Sequence, residues 1–120
     1  MSIHTLSPKV VIYKVDPTSQ VTARVLIGDG QRGGWAIGFD QATVKKGSSP
    51  DQVAIGTGPA IKDRLLQVTT TVVDVRIETN RLSAVLTLAG GPQGDMEVPQ
   101  AYDDGTDGDT AIFTTLVLFQ

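Results

Sequence analysis

Four carboxylates fall within seven residues in Asp103-Asp104-Gly105-Thr106-Asp107-Gly108-Asp109, the one charge run in this chain of 120 residues. A hard cation such as Ca²⁺ collects roughly six to eight oxygen ligands, and acidic side chains on a glycine-jointed backbone are how a short loop supplies them. Asp103, Asp104, Asp107 and Asp109 are therefore the candidate metal ligands, with Ca²⁺ the ion they suit. Their spacing departs from the EF-hand: counted from Asp103, Gly105 stands third, where that loop needs an oxygen, and Thr114 stands twelfth in place of a bidentate Glu. The competing reading is a solvated turn between two strands, rich in Asp and Gly because both accept turn geometry.

Gly28-Asp29-Gly30-Gln31-Arg32-Gly33-Gly34 has the glycine content of a phosphate loop. A phosphate cradle, however, needs a strand that runs into a helix whose first N–H groups point at the anion. Here Trp35, Ile37 and Phe39 alternate with Ala36 and Gly38, so a strand follows. The loop then reads as an exposed hairpin tip, and Arg32 and Asp29 are its candidate partner-binding residues.

His4 is the single histidine and there is no cysteine. Together these remove zinc sites built on several imidazoles or thiolates, cysteine nucleophiles and disulfides. A serine–histidine triad would have to recruit His4, which stands in an N-terminal segment, residues 1–7, expected to fray. Two carboxylate pairs remain, Asp74 with Glu78 and Asp95 with Glu97, the latter about 7 Å apart on one side of a strand. Asp74 sits inside an apolar run, where it either faces outward or satisfies the N–H groups of a bulge. A carboxylate-based enzyme is the least supported reading, no catalytic residue is assigned, and no cofactor is implied beyond Ca²⁺.

Ten basic against thirteen acidic residues give a net charge of −3, which disfavours phosphate backbones, so nucleic acid is not an expected partner. No apolar run approaches the ~20 residues that cross a bilayer, so no membrane insertion is expected. Residues 1–8 carry neither a basic nor an apolar signal-peptide region. Together with the lack of cysteine this leans toward the cytoplasm without fixing a location.

The elements that must position these residues are strands. Thirteen glycines and six prolines punctuate short runs rich in Val, Leu, Ile and Thr. Residues 9–15 form a first strand that ends in the turn Asp16-Pro17-Thr18-Ser19. Val21, Ala23, Val25 and Ile27 alternate cleanly, and with the Trp35 stripe they suggest a hairpin whose large side chains share one core, anchored by Trp35. Residues 41–46 read as an edge strand guarded by Lys45-Lys46, and residues 53–55 as a brief strand. Only residues 60–66 suit a helix, of about two turns at most.

Residues 64–77 and 81–88 predict a long central hairpin. Within the first run the apolar parity changes from Leu66, Val68 and Val72 to Val73, Val75 and Ile77, which predicts a bulge or a change of sheet at residues 71–74. In the second run Leu82, Ala84, Leu86 and Leu88 point inward. Pro99 confines residues 95–102 to an edge. The terminal run 110–120 is apolar on both faces, so it belongs in the middle of a sheet or against another subunit.

About eight short strands predict one all-β domain, a β-sandwich of immunoglobulin-like or jelly-roll type, with a closed barrel as the alternative. The expected function is a non-catalytic structural or protein-interaction module that acts through loops and strand edges, with itself among its partners. The alternative is a carbohydrate- or Ca²⁺-dependent ligand-binding module.

Overall fold

The computed structural model describes residues 2–40, 42–76, 79–103 and 106–120. Among the described residues ten strands and one helical turn follow one another: β1 (Ile3–Thr5), β2 (Lys9–Tyr13), β3 (Gln20–Ile27), β4 (Arg32–Phe39), β5 (Ala42–Gly47), β6 (Val53–Thr57), α1 (Gly58–Ile61), β7 (Leu65–Val73), β8 (Leu82–Ala89), β9 (Met96–Tyr102) and β10 (Thr110–Phe119). One sheet runs β1-β10-β7-β4-β5, with β2 also paired to β10; the other runs β6-β3-β8-β9. The two sheets pack face to face as an all-β sandwich and do not close into a barrel. No helix among the described residues is long and apolar enough to cross a membrane.

Alternation sets what each strand buries. Val21, Ala23 and Val25 of β3 and Leu82, Ala84, Leu86 and Leu88 of β8 point into the core from one sheet; Trp35, Ile37 and Phe39 of β4 and Phe113, Val117 and Phe119 of β10 point in from the other. Trp35 is the anchor its sequence suggests, and its indole N–H donates to the Ser49 carbonyl at 2.8 Å, which relieves the cost of burying it. The strand β10, flanked by β7 on one side and by β1 and β2 on the other, takes the central place that its two apolar faces require. Edges fall where charge and proline put them, β5 with Lys45 and Lys46, and β9 with Pro99. The 16–19 turn also forms, with Ser19 N donating to Asp16 O and Thr18 N to the Asp16 carboxylate.

Both expected hairpins are corrected. β7 pairs with β4 and β10, whereas β8 pairs with β3 and β9, so the two halves of the central run lie in opposite sheets. β3 and β4 part in the same way, and their apolar stripes meet across the core instead of side by side. Facing across ~10 Å buries two inward rows against each other as well as pairing would. At the 28–31 link the backbone is turned by Asp29 (φ 57°) and Gly30 (φ 70°), both left-handed.

Two further expectations change. The helical run shrinks to one turn, Gly58–Ile61, because Leu65 and Leu66 are taken into β7. The parity of β7 does not switch: Leu66, Val68, Thr70, Val72 and then Asp74 all face inward, and Val75 is 49% exposed. Of the two outcomes expected at residues 71–74, no bulge forms in β7, but the strand ends at Val73 and the chain crosses to the other sheet; the register shifts occur at Val21/Thr22 against β6 and at Ile37/Gly38 against β5. Asp74 takes the inward place because its charge finds partners there.

Candidate functional site

At one end of the sandwich the 28–31 link, residues 74–76 and 79–81 of the crossing from β7 to β8, and residues 103 and 106–109 come together with the N-terminal strand. Gln31, buried to 7% exposure, is the hub. Its Nε2 donates to Asp74 Oδ1 (3.1 Å) and to the carbonyls of Thr79 (3.1 Å) and Arg81 (3.3 Å). Its Oε1 accepts the amide hydrogens of Val75 (2.7 Å) and Arg76 (3.0 Å). One amide side chain thus serves the crossing as a neighbouring strand would. Asn80 joins from the other side, its Nδ2 donating to Asp74 Oδ2 and to Asp107 Oδ1, each at 2.7 Å.

The three described acidic residues of the loop have separate employments. Asp109, at 3% exposure, accepts Ser2 N on Oδ1 (2.7 Å), and His4 Nε2 (2.8 Å) and Thr106 N (3.0 Å) on Oδ2. His4, followed by the amides of Thr106 and Ser2, holds its carboxyl far below the usual carboxylate range. Asp103 lies 3.2 Å from the Arg81 guanidinium at the surface, and Asp107 is held by Asn80. Asp104 lies outside the described residues, as does Glu78 of the Asp74–Glu78 pair. Among the described residues no three His, Asp or Glu side chains converge as a metal group. Asp95 and Glu97 stand exposed at the start of the edge strand β9.

His4 departs from the expected frayed segment. It lies in β1, which pairs in parallel with β10 from Ile3↔Thr110 to Thr5↔Ile112, and its ring stacks on Tyr102 with centroids 4.4 Å apart. The ionised Asp109 fixes the ring tautomer with a proton on Nε2. The His4–Asp109 pair therefore fastens the first strand to the last.

The two loop-tip residues diverge. Asp29 accepts the Ser83 hydroxyl and pairs with Arg81 Nε at 3.3 Å, so it is bound into the scaffold. Arg32 is exposed at the start of β4 and meets no carboxylate among the described residues; it borders a cleft of about 280 Å³ beside Val25, Leu26, Ile27, Ser48 and Pro50. Sequence reasoning missed Gln31, although an acid inside an apolar run, Asp74, implied a buried donor somewhere in a loop.

A second feature is apolar. Ile3 (71% exposed), Val10 (68%) and Ile12 (51%) are the most exposed large apolar side chains described, and all lie on β1 and β2. Register places Val10 beside Leu116 and Ile12 beside Leu118, which itself adjoins Leu65, so the row continues across the outer face of the sheet. No family model, no curated protein and no solved structure matches the chain.

Proposed function

We propose that this chain is a non-catalytic structural or protein-interaction module that works through its strand edges and loops and associates with copies of itself. The observation that carries the reading is the apolar row on β1 and β2. It lies on a sheet edge with no strand beyond it among the described residues. The other edges carry the usual guards: two lysines and a register shift on β5, Pro99 on β9, and a short β6 with its own register shift. On β2 the one lysine turns aside, Lys9 Nζ donating to the Pro99 carbonyl.

Full burial of one Val or Ile side chain contributes about 1.5–3 kcal/mol, and a two-fold contact repeats each such burial in the second copy. On the chemical side, Asp74, Asp103, Asp107 and Asp109 are each engaged by a neighbouring side chain, an employment that supports a scaffold.

Sedimentation velocity over the widest accessible concentration range tests the reading. The expected result is a concentration-dependent shift to larger species that Val10→Lys with Ile12→Lys abolishes without lowering the melting temperature. A strict monomer at every concentration would refute self-association.

A further inference from the structure

The outer face of the larger sheet carries little charge. β7 and β10, its two longest strands, hold no charged residue at any position, and β4 has only Arg32, at its start. On one side of β7 the face is raised. Val10 and Ile12 of β2 stand beside Leu116 and Leu118 of β10, and Leu118 adjoins Leu65. Of these, Val10 is 68%, Ile12 51% and Leu65 45% exposed. On the other side of β7 the face is hollow, because β4 turns Gly34, Ala36 and Gly38 outward while Trp35, Ile37 and Phe39 point into the core. Two hollows of about 250 and 400 Å³ follow that row and share Ala36 and Thr69.

Ridge and recess thus flank β7, the middle strand of the order β1-β10-β7-β4-β5. A two-fold axis running along β7, just above the face, sets the ridge of each copy into the recess of the other, with every contact made twice. Five strands about 4.8 Å apart and about 30 Å long give a flat area of about 700 Å² per copy. Side-chain relief adds to that figure, and a stable complex buries roughly 800 Å² per partner. Like charges do not oppose each other near the axis, since β7 and β10 hold none. Lys46, beside Ala36, bounds the recess at the edge strand β5, where a lysine stem can carry its ammonium past the rim into water.

We propose that self-association takes the form of a face-to-face dimer, in which the outer faces of two copies of the larger sheet stack about an axis along β7. The ridge of each copy, with Val10 and Leu116, lies over the recess of the other at Ala36 and Gly38. Stacked sheets lie about 10 Å apart with their strands within about 30° of one another, so the bare row on β4 gives the large side chains their room. This rests on the reading of the chain as a self-associating module and names the surface and its symmetry. Edge-to-edge pairing of β2 with a second β2 is the competing arrangement.

The chain has no cysteine, so single-cysteine variants report one position each. Gln67→Cys places a thiol on the exposed outer side of β7, next to the axis, and Val10→Cys places one on β2, well away from it. Each full-length variant is treated with a short bismaleimide at a concentration where sedimentation shows the parent to be dimeric. Gln67→Cys is expected to cross-link to a dimer at least about tenfold faster than Val10→Cys, because only the thiols near the axis face each other. Ala36→Lys, which puts a charge into the recess three strands away from β2, is expected to weaken the dimer at least about tenfold while circular dichroism shows it folded. Three results would each overturn the stacked face: equal or faster cross-linking of Val10→Cys, no cross-linking of either variant, or undiminished dimerisation of folded Ala36→Lys. In all three the parent still dimerises, whereas a parent that stays monomeric at every concentration refutes self-association itself, so the two failures are told apart.

Discussion

Replacing Gln31 with Leu keeps an apolar stem of similar length and removes five hydrogen bonds at once. Their losses are unequal. The amides of Val75 and Arg76 belong to exposed residues and can turn to water, as can part of the Thr79 and Arg81 carbonyls. Asp74 is different, because it is 5% exposed and loses the donor to one of its two carboxylate oxygens. A hydrogen bond to a charged group is worth about 1.5–3 kcal/mol, and the re-solvated bonds add a few tenths each, so the expected loss is about 3 kcal/mol. For a chain of this length that corresponds to roughly 12 °C in melting temperature.

Urea unfolding followed by tryptophan fluorescence reads the change directly, since Trp35 is buried in the core. The double variant Gln31→Leu with Asp74→Leu removes the stranded charge together with its donor, and is expected to be less destabilised than the sum of the two single changes by about 1–3 kcal/mol. A loss below about 1 kcal/mol for Gln31→Leu, or strict additivity in the double variant, would refute the assignment of Gln31 as the residue that secures the crossing.

Asp109 gives a pH prediction. Its folded carboxyl titrates below its ordinary value of 3.8, chiefly through His4 and then through the Thr106 and Ser2 amides. The ionised form therefore stabilises the fold fully above that ordinary value, and the contribution fades as pH falls below it toward the lower folded value. Asp109→Asn is expected to flatten the acid limb of a plot of urea midpoint against pH; an unchanged slope would contradict this. A Cβ at Gly33 would overlap the Thr71 carbonyl oxygen in the ladder between β4 and β7. Gly33→Ala is expected to cost at least about 3 kcal/mol, and Gly94→Ala, open to solvent with φ 88°, only about 1 kcal/mol; comparable denaturation midpoints for the two would count against the register. Millimolar Ca²⁺ is expected to leave the melting temperature unchanged, because Asp103 and Asp109 are engaged by Arg81 and by His4 with two backbone amides. A rise of several degrees would revive the cation reading of the loop.

Much of this protein was decided by local pattern. The inward rows of β3, β4 and β8, the edge positions of Lys45, Lys46 and Pro99, and the central position of β10 all follow from the two-residue repeat of a strand and from what an unpaired edge tolerates. Those rules act on a few neighbouring residues, so the residues themselves announce them. Pairing partners were not legible in that way. A strand that pairs with its successor and one that faces it across the core show the same alternation, and only the packing of both sheets separates β7 from β8 and β3 from β4.

The contacts of the polar end come from tertiary structure alone. The residues of an acidic loop read equally as a cation site or as a wet turn, and only the fold brings His4, 105 residues away in sequence, to Asp109. The apolar surroundings of Asp74 suggested an outward face or a bulge to satisfy, yet Gln31 and Asn80 make an inward place affordable. Charge burial depends on partners brought together by the whole fold, and no stretch of chain carries that information by itself.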